Sequence, residues 1–274
     1  MDELGRRDFL KRAGIAGGLG AAAGGILGGF PAAQGAQGPG KESAVPPEAR
    51  LSVREMDYLK RWDSPTIANA LERRNVRPRD KGFMSPEIRA VFPEFGPMLG
   101  YAATATIRAS EPRKGGEAYV DNFEYYEYIQ SIPSPRIMVI HDQDAPTPIG
   151  SFWGEVHGNL HQALGCIGVI TDGGVRDLGP VRALRFHYFA AQILVSHVHV
   201  HLVDFGKPVT VGGHTVKSGD LLYGDEHGVI DVPHSLAKEV SDLCYRVYQA
   251  ERPSIDFYRS ADFSLEKLRE RRRR

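Results

Sequence analysis

The sequence predicts a single α/β domain with mixed sheets. Between Tyr101 and Leu184 apolar runs of strand and helix length alternate, and from Ala190 to Val232 short β-prone runs are punctuated by Gly212-Gly213, Ser218-Gly219 and His227-Gly228. No second linker interrupts residues 51–252, and no internal repeat is present. The chain has 274 residues, 42% hydrophobic and 25% charged, enough to bury a core, which excludes a disordered or fibrous protein. Lys+Arg 34 balance Asp+Glu 34, so no long-range field draws a polyanion and nucleic acid is not an expected partner. The two cysteines, Cys166 and Cys244, make neither a disulfide framework nor a four-thiolate zinc site; Cys166, inside an apolar run, is expected to be buried.

The elements follow in order. Arg6-Arg7-Asp8-Phe9-Leu10-Lys11, then a weakly apolar Gly/Ala stretch from Ala13 to about Gly29 and small residues after Pro31, resembles a twin-arginine export signal over residues 1–36. A membrane span is not expected, since the stretch is short, glycine-rich and interrupted by Pro31. The expectation is therefore a near-neutral, exported protein, periplasmic or extracellular, with no stable span after signal cleavage. Residues 37–50, rich in Gly, Pro, Gln and Ser, read as a linker, and the domain is expected over 51–252.

Val53, Met56, Leu59 and Trp62 recur at helical spacing, and Asp63-Ser64-Pro65 supplies a cap and a first-turn proline for a second helix through Ile67, Ala70 and Leu71. Tyr101 to Ile107 alternates as a strand, Glu117 to Ile132 reads as an amphipathic helix with Tyr119, Phe123 and Tyr126 facing the core, and Arg136 to His141 as a short strand. A helix from about Trp153 to Leu164, a buried strand Cys166 to Thr171 and a short helix near Pro180 to Leu184 come next. Runs at Ala190–Val195, Val198–Phe205, Val209–Val211, Thr215–Val216 and Val229–Val232 are β-prone, with Gly212-Gly213 as a hairpin turn. A helix is expected from about Ser235 to Gln249, and residues 253–274, ending in Arg271 to Arg274, as a solvated basic tail.

For chemistry, the absences come first: no G-x-S-x-G elbow, Walker loop, H-E-x-x-H or C-x-x-C occurs. What remains is Trp153-Gly154-Glu155 opening a helix, and Thr171-Asp172-Gly173-Gly174-Val175-Arg176-Asp177 after a buried strand. Amides at the Gly154 turn, aided by the positive end of the helix, suit a carboxylate. Arg176 offers a permanently charged planar donor, and Asp177 a hard oxygen ligand for a divalent cation. From spacing alone, ion pairing or helix capping by Arg176 and Asp177 is an equal alternative.

These residues carry a resemblance. Trp153-Gly154-Glu155, twenty intervening residues, Arg176-Asp177, then Pro208-Val209 to Gly213 and the run Ser218 to Val229 resemble the RraA-like family, named after a regulator of ribonuclease E activity and including 4-hydroxy-4-methyl-2-oxoglutarate aldolases. The resemblance extends over about Ser52 to Pro233, including Asp63 to Leu71 and Gly100 to Ala105. It implies a β/β/α swivelling-type domain, assembled as homotrimers or homohexamers with active sites between adjacent subunits. It implies that Arg176 contacts a 2-oxo acid, Asp177 serves the site of a divalent cation (Mg²⁺ or Mn²⁺), Glu155 orients a water that acts as base, and Gly154 with neighbouring amides holds the substrate carboxylate. An acid of the adjacent subunit, Asp225 or Glu226, would complete the site. The implied reaction is cleavage of a small 2-oxo acid, such as 4-hydroxy-4-methyl-2-oxoglutarate or oxaloacetate, releasing pyruvate: one enolate-stabilising site serves both aldol cleavage and decarboxylation. A non-catalytic ring-shaped binding or regulatory protein is the alternative.

One pattern stands apart. His197-Val198-His199-Val200-His201 would place three histidines on one face of a strand, where they suggest a transition-metal site and with it a histidine-centred metalloenzyme as a third reading, a substrate contact or an interface, or a polar strand face. His157 and His161 share a helix face and are expected to serve packing or surface roles; His227 is expected either to shape its turn or to line a pocket.

Overall fold

The computed structural model describes residues 45–114 and 122–273; the expected export signal and most of the expected linker lie outside the described residues. The linker's last residues already belong to the domain: Val45 is buried in the core, and the Arg50 guanidinium donates to its carbonyl at 3.1 and 3.2 Å. Helix α1 (Val53–Leu59) opens with a capping box in which Ser52 and Glu55 satisfy each other's backbone amides. Helix α2 (Ser64–Arg74) begins at Asp63, whose carboxylate accepts the Thr66 amide at 2.9 Å, and ends where Asn75 turns left-handed.

Strands β1 (Arg89–Ala90) and β2 (Met98–Arg108), helix α3 (Asn122–Ser131), strand β3 (Arg136–Asp142), helix α4 (Glu155–Ala163), strand β4 (Cys166–Val175), helix α5 (Leu178–Leu184) and strand β5 (His187–Ile193) form the alternating part. Strands β6 (His201–Phe205), β7 (Val209–Val211), β8 (His214–Val216), β9 (Leu221–Asp225) and β10 (Gly228–Asp231) follow, then helices α6 (Val240–Arg259) and α7 (Leu265–Arg273). β2 to β5 lie side by side and parallel, β1 joins β5 antiparallel, and β9 and β10 extend the other edge antiparallel. Met98–Tyr101 of β2 pairs with β9 and Ala105–Arg108 with β6, so one long strand serves two neighbours on the same side. The sheet nearly closes, since Phe83, just before β1, bridges Ile230 of β10.

Residues 137–140 are buried one after another, as a strand covered on both faces requires. One face packs Met98, Ile137, Val139, Ile170, Phe189 and Leu222 against the β7–β8 hairpin; the other packs Leu99, Met138, Ile140 and Val169 against the helices. Gly212 and Gly213 both have positive φ, 53° and 72°, the demand of a two-residue turn that matches strand twist. Among the described residues no helix is long and apolar enough to cross a membrane.

Three expectations change. In the described part of α3 the buried stripe is Tyr125, Tyr128 and Ile129, an i, i+3, i+4 set; Phe123 is 77% exposed, Tyr126 half-buried, and Tyr119 lies outside the described residues. The last long helix runs on to Arg259, and the arginine-rich segment forms α7, where Arg271 lies over the Phe257 ring at 4.4 Å. His197 to Val200 form a turn rather than a strand, with Val198 left-handed at φ 46°, so the three histidines do not share a strand face. The physical reason is register: β2 ends at Arg108, which pairs with His201, so the residues before His201 have no ladder to join.

Candidate functional site

The end of β4 meets the start of α4. Trp153 bridges Val175 in parallel, its carbonyl accepts the Arg176 amide at 3.0 Å, and the Ser151 hydroxyl reaches the carbonyls of Trp153 (2.7 Å) and Gly174 (2.8 Å). The Trp153 indole is fully buried against His161 and Phe186, with ring centroids 4.6 and 5.8 Å away. This pins the turn that starts α4 beside the end of β4.

Four of the residues singled out in the sequence converge there. Asp177, left-handed at φ 57°, turns its carboxylate back onto α4, where Oδ2 accepts the Glu155 amide at 3.0 Å with Arg176 Nε 3.9 Å away. Gly154 is needed for space: a Cβ there would lie 2.5 Å from Asp177 Oδ2 and 3.2 Å from Arg176 Nε. The Arg176 and Asp177 side chains keep about a third of their surface, 34% and 35%, open to solvent, and the Glu155 residue is exposed. A helix N-terminus, a guanidinium and a carboxylate thus face one accessible spot, with the means to receive an anionic oxygen and a hard cation together.

Among the described residues no three His, Cys, Asp or Glu side chains are grouped to hold a metal. That set still fits a magnesium-type ion, which takes one or two carboxylates and keeps several waters; it does not fit a histidine-rich transition-metal centre. Asp177 would hold it.

Two further residues neighbour the pair. Tyr188, on β5, has a buried hydroxyl without a partner among the described residues; burial, then the Asp177 charge, pushes its pKa up. His157, one turn into α4, lies over Phe152 with ring centroids 4.0 Å apart, and burial followed by the Arg176 charge pushes its pKa down to about 4, so it is neutral near pH 7. The helix face that His157 shares with His161 points to packing or surface, and packing on Phe152 is what is found; no motif marks Tyr188, which is defined by what packs on it.

The remaining candidates lie apart. Asp225 is buried, and its carboxylate accepts the Ser64 amide and hydroxyl, both at 2.7 Å, and the His227 amide at 2.9 Å, so it fixes the start of α2 and the β9–β10 turn. Asp225→Ala would leave these donors short of their anion and is expected to cost about 3 kcal/mol, read as a lowered urea midpoint with unchanged slope. Glu226 is exposed in that turn. His197 Nδ1 and His201 Nδ1 point at the carbonyls of Val198 and His199, 2.8 and 2.9 Å away.

His161, expected in packing, is fully buried. Its Nδ1–H donates to the His157 carbonyl at 2.8 Å, and Nε2 accepts from the Tyr125 hydroxyl at 3.0 Å. Burial pushes its pKa down to about 3 from 6.5. A base with a depressed folded pKa binds its proton mainly when unfolded, so its contribution is present above about pH 6.5 and is lost as pH falls toward about 3. The urea midpoint is therefore expected to drop between pH 7 and pH 4.5, and to drop less in His161→Phe.

Residues 53–230 match the RraA-like family, described as Aldolase/RraA, and the chain belongs to that family. It is similar to the protein of Halalkalibacterium halodurans named "Putative 4-hydroxy-4-methyl-2-oxoglutarate aldolase", 29% identical over 82 residues, 30% of this chain and 39% of that one. Among solved structures it resembles an uncharacterized protein from Pseudomonas syringae pv. tomato, with TM-score 0.61 and 25% identity over 83% of this chain and 98% of that one. It also resembles Streptomyces coelicolor RraAS2, described as an unusual member of the RNase ES inhibitor RraA protein family, with TM-score 0.58 and 21% identity over 75% and 98% of the two chains. The mixed α/β fold is that of these neighbours. The chain spans 18% to 49% of the length of the curated relatives it matches.

Proposed function

We propose that the protein is a divalent-metal-dependent carbon–carbon lyase acting on a small 2-oxo acid, such as 4-hydroxy-4-methyl-2-oxoglutarate or oxaloacetate, and releasing pyruvate. The observation that carries this is the convergence of the Gly154–Glu155 helix start with Arg176 and Asp177 at one solvent-accessible spot. A bound Mg²⁺ or Mn²⁺ would supply Lewis acidity at the substrate carbonyl. The amides of the first turn of α4 receive the substrate carboxylate, and Arg176 sets its charge beside the oxo oxygen, where negative charge grows as the carbon–carbon bond breaks. Glu155 holds the water that takes the hydroxyl proton in aldol cleavage; decarboxylation needs no such step, and in both cases a proton returns to carbon to give pyruvate. Asp177 anchors the site from its left-handed turn.

An acid of a neighbouring subunit in a homotrimer or homohexamer would complete the site. Glu226 suits this better than Asp225, whose oxygens already hold Ser64 and His227. The Arg6-Arg7 segment supports export by the twin-arginine route, which puts the reaction outside the cytoplasm.

The test is pyruvate release by the purified protein from both substrates, with Mg²⁺ or Mn²⁺ and with chelator. Turnover that chelator abolishes supports the lyase and ranks the substrates. No turnover above the metal-only background on either would favour a binding role.

A further inference from the structure

We propose that the end of α6 and all of α7 form an arm that docks on an anionic bilayer surface, with its arginines on lipid headgroups and its exposed aromatic and leucine side chains at headgroup depth. The inference is independent of the lyase reading.

The first half of α6 belongs to the domain, since Val240, Ser241, Cys244 and Val247 are buried. No described residue after Val247 is buried, so the rest of α6 and all of α7 add nothing to the core. From Val247 to the helix end at Arg259 the rise is about 18 Å. This segment nevertheless exposes apolar groups: Tyr258 is 48%, Phe263 42% and Leu265 66% open to solvent. Phe263 meets Phe257 and Tyr258 edge-on, with ring centroids 5.5 and 6.0 Å away, and Arg271 lies over Phe257. These contacts fold α7 back on the end of α6, so the two act as one surface.

Charge decides what covers that surface. Residues 257–274 hold seven basic and three acidic side chains, while the whole chain is neutral. Lys267 is paired with Asp262 at 2.9 Å, but Arg259, Arg269, Arg272 and Arg273 form no ion pair among the described residues. On α7, Leu265, Leu268, Arg269 and Arg272 recur at i, i+3, i+4 and i+7 and share one face, whereas Glu266 and Glu270 lie on the opposite one. The acids are thus turned away from the leucines that the arginines flank. That is the layout of a helix lying in a bilayer interface: apolar side chains enter the headgroup layer, and arginine stems lie along them with their charges on anionic phosphates. Tyr258 adds an apolar ring with a polar tip, which suits the same depth. Other partners fit less well. A nucleic acid offers phosphates but leaves the leucine face in water, and the same segment of a second copy brings like charge.

The experiment sediments the full chain with vesicles of pure phosphatidylcholine and with vesicles containing about one third phosphatidylglycerol. The anionic vesicles are expected to be bound at least about thirtyfold more tightly, an advantage mostly lost in about 0.5 M salt. Arg269→Gln with Arg272→Gln is expected to weaken that binding about tenfold or more, and Leu265→Ser with Phe263→Ser about tenfold. Both double variants are expected to melt within about 2 °C of the natural protein, because no altered side chain is buried. Equal binding to the two vesicle types, or anionic binding unchanged in either variant, overturns the inference. A short single-stranded DNA and sedimentation velocity without lipid test the other partners. DNA bound as tightly as the anionic vesicles, or an oligomer that the Leu265→Ser, Phe263→Ser variant dissociates, overturns it in favour of nucleic acid or of self-association.

Discussion

Asp177→Ala is expected to lower pyruvate release by about 10³-fold, to the metal-only background, and to remove its dependence on Mg²⁺ or Mn²⁺. Asp177 has two tasks. Its Oδ2 receives the Glu155 amide at 3.0 Å, which caps the start of α4, and as the only acid of the Arg-Asp pair it is the hard oxygen ligand beside the helix. Alanine removes both, and it also places a side chain poorly suited to the left-handed region at φ 57°. Asp177→Asn separates them, because asparagine tolerates that conformation and keeps an oxygen to cap the helix while losing the charge a divalent cation requires. The asparagine variant is expected to melt within about 4 °C of the wild type and yet to lose pyruvate release to nearly the same extent as alanine. A coupled pyruvate assay over a metal titration, beside a melting curve, reads both. Activity within tenfold of wild type in Asp177→Asn would remove Asp177 from the metal site and leave it a helix cap.

The sequence marks what is written in local chemistry. Asp63-Ser64-Pro65 states the start of α2, and Gly212-Gly213 states the hairpin, because a cap and a positive-φ turn each demand particular residues at particular positions. The central strands are legible for a different reason: a strand buried on both faces must be apolar throughout, as residues 137–140 are. His197 to Val200 alternate like a strand, but among the described residues only His201 of the triplet has a ladder partner, since β2 stops at Arg108; alternation shows which residues would share a face, not whether a ladder is there. The α3 stripe slips by a residue or two because the segment is aromatic nearly all round, with Phe123, Tyr125, Tyr126 and Tyr128 in six positions, so periodicity alone cannot choose the buried side.

The same distinction runs through the site. Gly154, Glu155, Arg176 and Asp177 can be picked out because the chemistry needs those residue types where a strand ends and a helix begins. Asp225 is of the right type as well, yet its oxygens are committed to Ser64 across 161 positions of sequence, which no local pattern reveals. Tyr188 goes unmarked, and His157 is marked only for packing or surface, for the converse reason: their environment comes from burial and from the Arg176–Asp177 pair, not from their own neighbours in sequence.

Arg176→Ala is expected to lower kcat for pyruvate release by about 10²- to 10³-fold with a much smaller change in KM, because its charge matters most when the oxo oxygen becomes an enolate oxygen. The substrate carboxylate keeps the α4 amides, so ground-state binding survives in part. Arg176→Lys keeps the charge but replaces a planar fork with a flexible point donor, and is expected to fall between the two. A second readout is independent of turnover. The Arg176 charge is the smaller of the two causes that hold the His157 pKa near 4, burial being the larger, so removing it is expected to raise the His157 pKa modestly while leaving it below 6.5, measurable by following the His157 ring signal through an NMR titration. A raised His157 pKa together with a collapsed kcat places Arg176 at the reacting oxygen as well as beside His157. A raised pKa with unchanged pyruvate release would keep the electrostatic contact and contradict the catalytic role, and Arg176 would then be an ion-pair partner that holds Asp177 in its turn.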